Sequence, residues 1–176
     1  MRSERALHIR DAMPSDWPVL REIEVRAGAM FRDIGMDEIA DDDPPSEDEL
    51  AEAAAVLVAA DDRGELVGYA RIELVGDHAH LEQVSVLPER GGEGVGTALL
   101  DAVEAWAQRL GLPRVTLTTF RDVPFNAPLY AKRGFTEVPE TDWSEELREV
   151  VAAEAAHGLD PAQRVVMSRP VRSADQ

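Results

Sequence analysis

Residues 86–100 read VLPERGGEGVGTALL, the stretch that most tightly restricts what this chain can fold into. An apolar run ends at a proline. Four glycines (Gly91, Gly92, Gly94 and Gly96) then fall within six positions, and a helical apolar pattern begins at once. Glycine permits positive φ and removes the Cβ that would keep a ligand away from main-chain amides. A strand that feeds such a loop and then a helix N-terminus makes an anion cradle, because loop amides converge there and the unpaired first-turn N–H groups add partial positive charge. Three kinds of cradle compete. A dinucleotide fingerprint needs G-x-G-x-x-G, whereas Gly92, Gly94 and Gly96 are spaced G-x-G-x-G. A P-loop ends in Lys followed by Ser or Thr, but here Gly96 precedes Thr97 and no lysine is present. The third is a pyrophosphate held by backbone amides without a metal.

The 176 residues suggest one domain spanning 1–176. The absence of cysteine excludes disulfides, thiolate metal sites and cysteine nucleophiles. The four histidines, His8, His78, His80 and His157, lack metal-ligating spacing, so no metal is expected. No run approaches the ~20 apolar residues of a membrane span, and the N-terminus lacks a signal peptide's apolar stretch. The expectation is a cytoplasmic protein with no membrane partner. A net charge of −17, from 35 acidic and 18 basic residues, disfavours nucleic acid and would steer a cationic ligand, although plain solubility accounts for it equally.

The remaining chain alternates strands and helices. ALHIR (residues 6–10) reads as a first strand. The helix that follows has Ser15 or Asp16 as N-cap, Pro18 in its first turn and an apolar stripe of Leu20, Ile23, Val25 and Ala27. Ser46 and Glu49 have capping-box spacing ahead of a short helix. Two strands flank the Asp61-Asp62-Arg63-Gly64 turn, and a third, HAHLEQVSVLP, leads into the glycine loop. The helix after the loop presents Leu99, Leu100, Val103, Trp106, Ala107 and Leu110 on one face and stops at Gly111. RVTLTTF is a strand. A short helix follows, with Asn126 as its cap, Pro128 in the first turn and Gly134 as its end. FTEV, a helix ended by Gly158, and QRVVMSRPV complete the chain.

The ordered motifs resemble the GNAT superfamily of acyl-CoA N-acyltransferases. Their signature, V-x-P followed by [Q/R]-x-x-G-x-[G/A] at the head of a long helix, matches at Val86, Pro88, Gly94 and Gly96, and LYAKRGF (residues 129–135) is similar to the family's L-Y-x-x-x-G-F block. Gly91 stands at the Gln/Arg position, with Arg90 one place early. The resemblance implies an α+β (mixed α/β) fold. Its central sheet would be mixed, mostly antiparallel, of six to seven strands, and flanked by helices on both faces. It also implies acetyl-CoA as co-substrate, with Arg90, Gly91, Gly92, Gly94, Val95, Gly96 and Thr97 around the pyrophosphate, and direct transfer to an amine.

Acetyl transfer needs a base for the amine, donors for the oxyanion and an acid for the departing thiolate. Tyr130, the tyrosine of the second motif, is the expected acid, since a phenol stays protonated at neutral pH. Glu82 is the first candidate for the base and His80, two residues away on the same strand face, the second, either acting through water; a route with no single base is also open. A backbone N–H at Val84 or Val86 would serve the oxyanion. Asn126 is read foremost as a helix cap, with cofactor contact as the alternative. The acidic N-terminal third (Asp33, Asp37, Glu38, Asp41, Asp42, Asp43) would wall a cationic small amine, or else be a solvated loop. A homodimer is compatible with the resemblance, and a non-catalytic acyl-CoA sensor or a peptide N-terminal acetyltransferase are the alternative functions.

Overall fold

The computed structural model describes residues 6–173. Seven strands are hydrogen-bonded in the order β1-β2-β3-β4-β5-β7-β6. They are β1 (His8–Asp11), β2 (Ala55–Ala60), β3 (Leu66–Val75), β4 (His78–Val86), β5 (Arg114–Phe120), β6 (Thr136–Glu137) and β7 (Arg164–Pro170). Pairing is antiparallel for β1/β2, β2/β3, β5/β7 and β6/β7, and parallel for β4/β5. This is the mixed, mostly antiparallel sheet expected. The helices are α1 (Trp17–Gly28), α2 (Asp37–Ala40), α3 (Glu47–Glu52), α4 (Val95–Arg109), α5 (Ala127–Lys132) and α6 (Glu145–Ala156). No helix among the described residues is long and apolar enough to cross a membrane. The chain gathers into two compact units. One runs to Ile72 and takes in Gln83–Val103; the other is built from Glu73–Glu82 and the chain from Glu104 onward.

In the first unit, Leu20 and Ile23 of α1, Val58 and Val67 of the β2–β3 hairpin, and Leu99 and Val103 of α4 are buried. Ser46 caps α3: its hydroxyl accepts from the Glu49 N–H at 3.1 Å, as the capping box requires. Asp16 holds the N-cap position of α1, yet its carboxylate turns to the Met13 N–H (2.7 Å) and to Arg10 on β1 (2.8 Å). Arg10 holds that carboxyl below its ordinary value. Val25 departs from the expected stripe, being 50% exposed, because residues at i+2 and i+5 from Ile23 and Leu20 turn away from the buried face of a 3.6-residue helix. The first strand starts two residues later than its apolar pattern suggests.

β3 comes close to its neighbours at Gly68. A Cβ there would stand 2.9 Å from the Ser85 carbonyl oxygen, 3.0 Å from Val95 Cγ1 and 3.2 Å from Leu99 Cδ1. The missing side chain is what lets the first turns of α4 lie on the strands.

In the second unit, β5 and β7 pair along their whole length, from Arg114↔Pro170 to Phe120↔Arg164, over buried Val115, Leu117, Val165 and Met167. Leu147 anchors α6, whose first turn is capped by the Ser144 hydroxyl accepting from the Leu147 N–H at 3.2 Å. Gly111, past the end of α4, takes φ of 69°, the left-handed stop expected, and Leu110 beside it is 55% exposed rather than part of the core stripe.

Candidate active site

The glycine loop lies in the first unit. β4 ends at Val86, a tight turn carries residues 88–90, and α4 begins at Val95, with the Gly94 carbonyl accepting from the Ala98 N–H at 3.0 Å. Gly94 is therefore the N-cap. The amides of Val95, Gly96 and Thr97 have no earlier carbonyl within the helix to bind. Gly92 and Gly94 sit at φ of 79° and 84°, and a Cβ on either would meet nothing within 4 Å. Left-handed backbone, open space above it and a fifteen-residue helix behind it make a concave row of N–H groups, which fits a pyrophosphate. Val84 and Val86, on the strand before the loop, are half-buried, and a Cβ on Gly96 would lie 4.0 Å from Val86 Cγ2.

Arg90 has a different occupation from a phosphate ligand. Its guanidinium donates to Asp61 Oδ2 at 3.2 Å and to Glu93, and its side chain is only 15% exposed. Asp61 is itself buried in the β2–β3 turn, where its Oδ1 accepts from the N–H groups of Arg63 (2.9 Å) and Glu65 (3.0 Å). The arginine thus ties the glycine loop to that turn. Asp61 was not singled out from the sequence, although an Asp opening D-D-R-G has the signature of a side-chain-closed turn.

The second unit holds Tyr130, Asn126, His80 and Glu82. Tyr130, on α5, is half-buried and packs edge-on against Phe135, with ring centroids 5.7 Å apart and planes at 71°. Burial pushes its phenol up to about 12, with Arg133 opposing. Asn126 stands at the N-cap position, and its carbonyl accepts from the N–H groups of Leu129 and Tyr130. Its side chain does not cap. The amide oxygen instead accepts from the Thr119 hydroxyl at 2.7 Å and the Phe120 N–H at 3.4 Å, so the carboxamide ties α5 to the end of β5. The side-chain cap expected from the sequence is corrected accordingly. A strand donor already aligned outcompetes the helix's own first-turn amides.

His80 on β4 is 1% exposed, with Nδ1 2.8 Å from the Thr116 hydroxyl and Nε2 3.7 Å from Glu82 Oε2. Burial lowers its pKa to about 4, helped by His78 and Arg164, so the ring is neutral at pH 7. Glu82 is exposed, two residues along the same strand face. Arg164, its own pKa lowered by burial, donates to Glu154 and to the Thr118 hydroxyl (3.0 Å), and Glu82 acts on it electrostatically. One ionisable strand therefore carries an enclosed neutral imidazole and an accessible carboxylate side by side. Glu82 is followed directly by Gln83, where β4 passes into the first unit.

Comparison with known proteins identifies the family. Residues 17–135 match the model of the acetyltransferase (GNAT) family. The chain is similar to an aminoglycoside N(6')-acetyltransferase type 1 of Klebsiella aerogenes, with 32% identity over 99 residues, covering 52% of this chain and 65% of that protein. The protein of the same description from Stenotrophomonas maltophilia is 34% identical over 107 residues, covering 53% and 70%. Among solved structures, the PaiA N-acetyltransferase of Thermoplasma acidophilum in complex with coenzyme A superposes with a TM-score of 0.67 at 16% identity, covering 94% of this chain and 99% of that one. From the residues matched, which run from the start of α1 past the glycine loop to Phe135, the chain belongs to the acetyltransferase (GNAT) family.

Proposed function

We propose that this chain acetylates a primary amine of a small, cationic acceptor, with aminoglycoside-like amino sugars as the first class. The observation that carries this reading is the alignment with two aminoglycoside acetyltransferases over more than half of the chain. The exposed carboxylates Asp33, Asp37, Glu38, Asp41, Asp42 and Asp43 support it, since a polycation would be drawn to them.

Acetyl-CoA supplies the thioester-activated acetyl group. The amides of residues 91–97 hold its pyrophosphate, and Asn126 adds a polar contact to the cofactor arm. Glu82 takes the proton from the acceptor ammonium. His80, enclosed and a weak base, orients Glu82 and does not itself titrate in the working range. A backbone N–H at Val84 or Val86 donates to the developing oxyanion. Tyr130 donates to the departing thiolate, and a phenol whose pKa is raised keeps its proton until then.

The test is thiol release from acetyl-CoA with a panel of aminoglycosides, polyamines, amino acids and peptides with free N-termini. Aminoglycosides should give the highest kcat/KM. Turnover only with peptides would replace the acceptor class, and acetyl-CoA binding without turnover on any amine would make the chain a sensor. Asp41→Asn, Asp42→Asn and Asp43→Asn together should lower kcat/KM at low salt, and the gap should close as the Debye length shrinks from about 30 Å to about 3 Å.

A further inference from the structure

On α1, Glu24 follows Ile23 directly and lies four residues after Leu20, both buried, so the helix face that enters the first unit's interior carries a carboxyl. Its Oε2 is enclosed. So is the hydroxyl of Tyr69 on β3, a side chain with no exposed surface. The two groups act on each other, and Ser85 acts on the phenol, but among the described residues neither Glu24 Oε2 nor the Tyr69 hydroxyl reaches full hydrogen-bond geometry with a partner. Orphaned polar atoms in an interior are completed by a water or by a ligand group. Glu24 keeps some accessible surface beside its enclosed Oε2, and that edge of the residue is where a ligand would approach the pair.

The charge around the pair selects the visitor. The groups that act on Glu24 are Tyr69 and Arg71 on β3, Asp42 after α2 and Glu49 on α3, and Arg71 lies 3.8 Å from Glu49. Among the groups that act on Glu24, two are carboxyls and one is a cation. Burial pushes the Glu24 carboxyl up to about 7; Asp42 and Glu49 add to the rise, while Tyr69 and Arg71 oppose it. An ammonium brings three donors and a positive charge, enough to satisfy Oε2 and the phenolic oxygen together and to relieve the carboxylates. A water or a neutral hydroxyl brings no charge.

We infer that Glu24 and Tyr69 receive an amino group of the acceptor other than the one acetylated, so that this pair selects polyamino substrates. The inference rests on the reading of the chain as a small-amine acetyltransferase. It commits the pair to binding rather than to proton transfer in the chemical step.

The experiment is calorimetric titration of kanamycin A into the coenzyme A-saturated enzyme at pH 7, in two buffers of different ionisation enthalpy, for wild type, Glu24→Gln and Tyr69→Phe. Steady-state kinetics on the same proteins accompany it. A cation arriving at Glu24 lowers its pKa and expels its proton, so wild type should release roughly half a proton more than Glu24→Gln, the fraction protonated when pH equals pKa. Loss of a charge-assisted contact should raise the acceptor Kd and KM about 10- to 100-fold in Glu24→Gln, and less in Tyr69→Phe, with kcat and the acetyl-CoA KM held. A folded Glu24→Gln with wild-type proton release and wild-type acceptor KM overturns the inference, as does a fall in kcat at unchanged KM. Acetylation of kanamycin A by wild type alongside either result shows that only the role of Glu24 has failed. A wild-type enzyme that neither binds nor acetylates it or any polyamine overturns both readings together.

Discussion

Gly68→Ala should loosen the proposed cofactor cradle from a strand outside the glycine loop. The added Cβ would lie 2.9 Å from the Ser85 carbonyl oxygen, a contact that side chains cannot relieve because the obstacle is β4 backbone, and 3.0 Å from Cγ1 of Val95, the first residue of α4. Ser85, Val95 and Leu99 are all buried, so none can swing into solvent. Overpacking of this kind costs about 1–3 kcal/mol, which lowers Tm by roughly 2–12 °C in a chain of this size. Because the displaced residue opens α4, the amides of Val95, Gly96 and Thr97 move with it. Losing about one hydrogen bond's net worth raises the acetyl-CoA Kd roughly tenfold. Gly158→Ala serves as the control. Its φ of 103° makes any Cβ strained, but nothing lies within 4 Å, so it should lose stability and leave cofactor affinity alone. Thermal denaturation and calorimetric titration of both variants are the assays. If Gly68→Ala matches wild type in acetyl-CoA affinity while losing as much stability as the control, the strand does not set the position of the helix N-terminus and the reasoning fails.

Gly94→Val should abolish measurable acetyl-CoA binding, with the loop's φ of 84° rather than steric contact as the cause; tight binding by the variant in calorimetry would show that the left-handed turn is dispensable. Tyr130→Phe keeps the edge-on contact with Phe135 and should lower kcat about 10²- to 10⁴-fold with little change in acetyl-CoA affinity, and undiminished kcat would remove the phenol from the chemistry. His80 makes the fold acid-sensitive. Its folded pKa of about 4 lies below the ordinary 6.5, so from pH 6.5 downward the unfolded chain binds a proton that the folded chain refuses, and stability falls by about 3 kcal/mol by pH 4. Urea unfolding of wild type and His80→Asn at pH 7 and pH 4.5 checks this; parallel losses in the two proteins would exclude His80 as the source.

Much of the fold was legible because its signals are local. The Ser46–Glu49 box, the stop at Gly111 and the strand RVTLTTF each follow from chemistry within a few residues, and each is observed. What was missed depends on distant partners. Asn126 abandons its cap for Thr119, seven residues back on another element. Arg90 is claimed by Asp61, 29 residues away. A periodicity count of apolar residues put Val25 in the core, where it is exposed, and passed over Glu24 because a carboxyl scores as solvent-facing even at a core position. The glycine loop and Tyr130 could be proposed from the sequence because their motifs are short and contiguous. Their neighbours could not, because spatial pairs leave no contiguous mark.

The bracing of Arg90 has a consequence for how the donor is held. Its charge is already balanced by Asp61 and Glu93, so the loop offers the pyrophosphate little free cationic side chain. On the proposed reading, what attracts the anion is a set of peptide dipoles held in a helix and a turn. Dipoles of this kind act over the first turn of the helix and fade beyond it, so on the proposed reading the donor is recognised at contact distance, by the shape of the loop, rather than drawn in from afar.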